Sequence, residues 1–203
     1  MGMVLGLNTL KDENIEKMLS DPPLVWKVLA PDDPEIYEQE IKSNKAPIGF
    51  FSKFFKKNKT VPPFKTVFFE LSGDEGADTD LDKAWHGIHY LLTGSVWEGD
   101  GPLNFLIAGG ETIGEIDVGY GPARCLKSHN VSEINAALSE ITVEEFEVRF
   151  EPDKMMAEKI YPEIWNRKEE NGNLDYLVEY FVELKQFISK AAQNKMGLII
   201  SIS

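Results

Sequence analysis

The 203 residues include a single cysteine, Cys125, so no disulfide can form within the chain and its composition fits a reducing compartment. No apolar run approaches the ~18 residues that a membrane-spanning helix needs. Met1 to Leu10 lacks the basic start and apolar stretch of a secretion signal. Positive charge is scarce: 21 Lys and Arg stand against 34 Asp and Glu, a net charge of −13. That sign argues against contact with nucleic-acid phosphates. The chain also lacks internal repeats, low-complexity tracts, a GxGxxG or P-loop motif and an HExxH motif. The expectation is a cytoplasmic acidic protein with no nucleic-acid partner, no transmembrane segment and no cofactor.

What is present is a globular composition, 42% apolar with 11% aromatic residues, enough to build one core. Short apolar runs near Met3, Val67, Ala123 and Ile199 read as strands. Several helices lie between them, so regular βαβ winding is not expected. These patterns predict an α+β fold: a single helix-rich domain over residues 1–203 with a small mixed or antiparallel sheet. Thr9 with Asp12, and Thr142 with Glu145, resemble capping boxes. Ser128 is placed to cap a helix with Val131, Ile134, Leu138 and Ile141 inward. The longest helix runs from about Leu174 to Asn194, and LIISIS after Gly197 is too apolar for anything but an interior strand.

The stretch from Thr79 to Arg124 concentrates the unusual residues. It carries two of three histidines, two of four tryptophans, nine of sixteen glycines and one of three arginines. Thr79 is placed to cap a helix that Gly94 ends. Leu81, Ala84, Trp85, Ile88, Leu91 and Leu92 fall on one side at helical period. Asp82, His86, His89 and Thr93 line the edge of that stripe at i, i+4, i+7 and i+11. Either these groups border a pocket, or they satisfy one another at a packed boundary. HGIH is not a metal motif, and Asp82 is its one obvious further ligand, so no metal is expected.

Glycine-dense turns follow, with Glu111, Tyr120 and Arg124 among them. Arg124 has the planar fork that binds carboxylates or phosphates bidentately, and an internal ion pair would use it equally well. Cys125, between Arg124 and Leu126, reads as a small buried hydrophobe rather than a nucleophile. YPEIW at residues 161–165 suits either a pocket rim or a buried aromatic clasp.

Between Glu40 and Glu70 there are seven lysines and no acid, leaving −20 on the remainder (−13 less +7). Residues 42–65 read as a basic, Phe-rich flap or insertion. Phe50, Phe51, Phe54 and Phe55 would share one helical face there. That face would suit packing on its own domain, an acidic partner or an anionic surface.

LDKAWHGIHYLLTG, GPLNFLIAGGETIG, GYGPAR and IYPEIW resemble the YfbM-like proteins, the family of domain of unknown function 1877. The resemblance spans nearly the whole chain and is least evident around Lys42–Lys65. It implies one compact α+β domain of bacterial type and brings no activity with it.

Three function classes follow. The first is a binding module with a pocket between the central helix and the Gly-rich segment 99–124. The candidate site then comprises Asp82, Trp85, His86, His89, Thr93, Glu111, Tyr120 and Arg124, with a small anionic molecule or a protein as partner. The second is an enzyme acting on a small anionic substrate, with His86 or His89 as acid/base and Arg124 as clamp. The third is a protein-interaction module that neutralises a partner.

Overall fold

The computed structural model describes residues 2–45, 68–167 and 172–203. Five strands are assigned: β1 (Leu5–Leu10), β2 (Asp78–Asp80), β3 (Glu111–Asp117), β4 (Pro122–Leu126) and β5 (Gly197–Ile202). They form one sheet in the order β2-β1-β5-β4-β3, with every neighbouring pair antiparallel. The C-terminal strand is thus central, as its unbroken apolar sequence requires: Leu198, Ile199 and Ile200 are all buried.

Strand periodicity assigns these three residues to two different cores. Leu198 and Ile200 pack with Leu5, Leu7 and Leu126 against α4 (Trp85–Thr93), α5 (Ser128–Ser139) and α8 (Asn173–Gln193). Ile199 packs on the other face with Ile113, Ala123 and Cys125 against α1 (Asp12–Ser20), the 3-10 turn Pro22–Val25 and α2 (Trp26–Leu29). The fold is therefore α+β, helix-rich, with a sheet buried on both sides. The remaining helices are α3 (Pro34–Lys45), α6 (Val143–Glu147) and α7 (Pro152–Ala157). Among the described residues no helix is long and apolar enough to cross a membrane.

The local signals fared unequally. Thr142 caps α6 as read: its side chain accepts from the Glu145 N–H at 3.1 Å, and the Thr142 N–H donates to the Glu145 carboxylate at 2.9 Å. Thr9 does not cap α1. It lies inside β1, and its hydroxyl donates to the carbonyls of Asp74 and Ala77. Thr79 does not cap α4 either, because Leu7 pairs with it across the β1–β2 ladder. Asp82 then turns the chain at a φ of 39°, and α4 begins three residues later. Ser128 opens α5, but the acceptor for its N–H is the Asp12 carboxylate at 2.8 Å, supplied from α1.

Of the expected strand near Val67, only Phe68–Leu71 falls within the described residues, and no strand is assigned there. The Phe50–Phe55 face and nearly all of the 42–65 flap lie outside those residues. Beyond residue 68 the chain is fastened by Glu75. Its carboxylate accepts from the Lys11 and Ser72 N–H groups and from the Asn14 amide. Although burial alone would raise it, these bonds hold the carboxyl below its ordinary range.

Candidate functional site

The central helix α4 is enclosed on every side: each residue from Trp85 to Leu92 is buried. Gly94 ends it in the left-handed conformation at φ 72°, its N–H donating to the Tyr90 carbonyl. Gly87, between the histidines, lets two elements close on the helix. A β-carbon there would sit 2.8 Å from Leu177 of α8 and 2.9 Å from the Trp165 ring.

That enclosure decides the fate of the polar seam. His86 has no exposed surface and both ring nitrogens are engaged. Nε2 donates to the Val96 carbonyl at 2.8 Å, and Nδ1 accepts from the Tyr161 N–H at 3.1 Å. This pair of partners fixes one neutral tautomer. Burial lowers its pKa from the ordinary value. The ring lies between Trp85, with centroids 5.1 Å apart, and the half-exposed Trp97, at 4.4 Å. His89 is equally buried. Its Nε2 reaches the Thr93 hydroxyl at 3.4 Å, and its Nδ1 has no hydrogen-bond partner. Burial, then the neighbouring His86, press its pKa down to about 4.

The other candidates turn to different neighbours. Asp82 accepts from the Tyr176 hydroxyl at 2.8 Å rather than from a histidine. Trp85 is core, its indole N–H donating to the Met3 carbonyl at 3.2 Å. Glu111 and Tyr120 are exposed, at the start of β3 and in the turn between β3 and β4.

Arg124 points inward. Its guanidinium donates to the carbonyls of Phe105 at 3.1 Å, Leu106 at 2.7 Å and Gly109. It gathers the end of the turn that follows the 3-10 segment Pro102–Asn104 and satisfies carbonyls no ladder reaches. Among the described residues no acidic side chain pairs with the fork, and desolvation lowers its pKa. Cys125 is buried, with its thiol pushed up to about 11, first by burial and then by Glu111. YPEIW forms a clasp: Trp165 is buried and donates to the Ile160 carbonyl at 2.7 Å, while the Tyr161 hydroxyl accepts from the Met3 N–H.

The eight candidate residues do not line one shared space. Only Thr93 borders any of the four described cavities. Among the described residues no three His, Cys, Asp or Glu side chains gather to hold a metal.

The Gly-rich segment does wall a cleft, against α5 rather than α4. This cleft of about 280 Å³ has Phe105, Leu126 and Ile134 as apolar lining, with Asn104, Asn130 and Glu133 as polar groups. Phe105 and Gly109 belong to its wall, and their carbonyls are the ones Arg124 holds from behind. Sequence reading missed Asn130 and Glu133, since the α5 pattern announces only its inward apolar face. A second crevice of about 470 Å³ lies at the C-terminal end of α4, with Tyr90, Arg149 and Lys154 in its lining. No sequence motif marks it.

Comparison with known proteins adds family and fold. The family model described as Domain of unknown function (DUF1877) matches residues 1–201. A search of curated proteins finds no match. Among solved structures, the chain is similar to YfbM from Escherichia coli, whose title calls it a protein of unknown function. That similarity has a TM-score of 0.60 at 13% identity and covers 98% of this chain and 99% of the other. At that identity it speaks for the fold alone.

Proposed function

We infer that this chain, which belongs to the DUF1877 family, works as a binding module whose ligand sits in the cleft between the Gly-rich segment and α5. One observation carries this reading. The wall of the cleft is set by the part-buried Arg124 guanidinium, which donates to the carbonyls of Phe105 and Gly109 in that wall and of Leu106 next to them. An open, partly polar concavity stands in front of that wall. Pre-formed apolar hollows with a few convergent polar groups are the usual form of small-molecule sites, and about 280 Å³ suits a small ligand. Asn104, Asn130 and Glu133 offer amide donors and acceptors and one carboxylate, a set suited to a polar, uncharged or cationic molecule.

The acid–base alternative built on His86, His89 and Arg124 loses its support. A general base must reach its proton, and these imidazoles have no exposed surface. Arg124 serves the cleft as a positioning residue behind it.

The test is a thermal-shift screen of small polar metabolites on the wild type, Asn130→Leu and Glu133→Gln. A ligand at a hundred times its Kd should stabilise by about 2.7 kcal/mol, or roughly 5–10 °C for a chain of this size. Either substitution should cut that shift by more than half. A saturable shift that both variants leave intact would move the site elsewhere, and the absence of any such shift would remove the reading.

A further inference from the structure

A different place in the molecule carries a ligand prediction of its own. The crevice at the end of α4 is lined by Tyr90 and Thr93 on one side and by Val148, Arg149, Glu151 and Lys154 on the other. Tyr90 is only 4% exposed, and its buried hydroxyl makes no hydrogen bond. A buried hydroxyl left unpaired is unfavourable, and a ligand accepting from it would relieve that. Lys154 and Glu158 flank the hydroxyl with opposed charges. Neither meets it with hydrogen-bond geometry.

Arg149 differs from Arg124 in how its donors are used. One terminal nitrogen donates to the Leu91 carbonyl at 3.1 Å, which orients the guanidinium at the helix end. Among the described residues its other N–H groups have no hydrogen-bond partner, and the side chain is exposed. Lys154 approaches Glu151 only at 3.8 Å, and both side chains are more than half exposed. Such a pair yields easily to a competitor. Arg149 and Lys154 stand against Glu151 in the lining and Glu158 beside the Tyr90 hydroxyl, so two cations are held in the crevice on a chain whose total is −13. Val148, 81% exposed, gives the crevice an apolar border, with Leu92 also in its lining.

We propose that this crevice binds a small organic carboxylate. The Arg149 fork takes both carboxylate oxygens, Lys154 turns from Glu151 to the same group, and the Tyr90 hydroxyl donates a third bond. A short aliphatic arm lies along Val148 and Leu92. This site is separate from the Gly-rich cleft, and either stands if the other fails.

The experiment is a ¹H–¹⁵N NMR titration of the full chain with butyrate, acetate, inorganic phosphate and chloride at constant ionic strength. Butyrate should give saturable shifts at Tyr90–Gly94 and Val148–Lys154, with acetate weaker for want of the aliphatic contact. Arg149→Met should weaken butyrate about tenfold, the scale of a lost charge-assisted pair. Tyr90→Phe should weaken it about threefold or more while leaving Tm unchanged or higher, since no close hydrogen bond among the described residues depends on that hydroxyl. Shifts reproduced by chloride or phosphate would overturn the proposal. Affinity untouched by Arg149→Met would do the same, as would Tyr90→Phe lowering Tm with no effect on binding.

Discussion

Acidifying the solution from pH 7 to pH 5 should cost this fold about 2 kcal/mol through His89 alone. The ring has no exposed surface, and the Glu98 main chain beside it, which favours the charged form, offsets burial only in part. Burial, reinforced by His86, brings its pKa from 6.5 down to about 4 in the folded chain. The unfolded chain therefore takes up the proton first. Stability is complete above the unfolded value of 6.5 and falls as pH drops toward 4. Linkage gives a loss of about 2 kcal/mol at pH 5 and about 3 kcal/mol at pH 4, against a few tenths at pH 7. His86, lowered for the same leading reason, adds in the same direction. Glu75 does not confuse this window. Its carboxyl is held below the ordinary 4.5, so its contribution is present above that pH and lost beneath it. Urea unfolding followed by tryptophan fluorescence at pH 7 and pH 5 supplies the measurement. The comparison is between the wild type and His89→Leu, because the difference in their pH dependence isolates this ring. The variant should lose about 2 kcal/mol less than the wild type between the two pH values. Equal losses in both proteins would show that His89 is solvated or paired, and the account of the sealed helix would be wrong.

Leu92→Ala should destabilise by about 2–5 kcal/mol, since the side chain is 95% buried; a loss well under 1 kcal/mol by urea titration would contradict its place in the core. Arg124→Met should cost about 2–4 kcal/mol by leaving three carbonyls without their donor, whereas a merely electrostatic role would make the loss fade in high salt. Gly87→Ala should lower stability by about 1 kcal/mol net, crowding against Trp165 outweighing the better helix propensity. A rise in Tm for that variant would show that the indole gives way. Thr142→Ala should cost about 1 kcal/mol through the lost cap.

Much of the fold was legible because apolar spacing reports burial. The stripe of α4, the Thr142 box and the interior C-terminal strand could all be read from the chain. What the sequence concealed was context. Asp82 and Thr93 do lie at a boundary, but an amphipathic pattern presumes a solvent side for His86 and His89 as well, and that part of α4 lies inside the protein with Trp165 and α8 closing over Gly87. Strands β2 and β3 went unread. Their residues are acidic and glycine-bearing, and they occupy the two edges of the sheet, where half the backbone pairing that defines a strand is missing. Arg124 was weighed as an anion clamp because acidic partners can be counted in a sequence. Free carbonyls at a turn cannot. The same blindness hid Arg149, whose availability follows only from seeing which arginine the main chain has already used.

The position of β5 has a consequence for synthesis and truncation. β2 and β1 make one ribbon, β3 and β4 another, and among the described residues β5 is the strand that joins them in the sheet. Until β5 leaves the ribosome, the halves have no hydrogen-bonded seam between them, however early each hairpin or ribbon forms. A chain cut after Met196 would not be a slightly shortened version of this protein. It would be two unjoined pieces of sheet, each showing an open apolar edge to its neighbours in the cell.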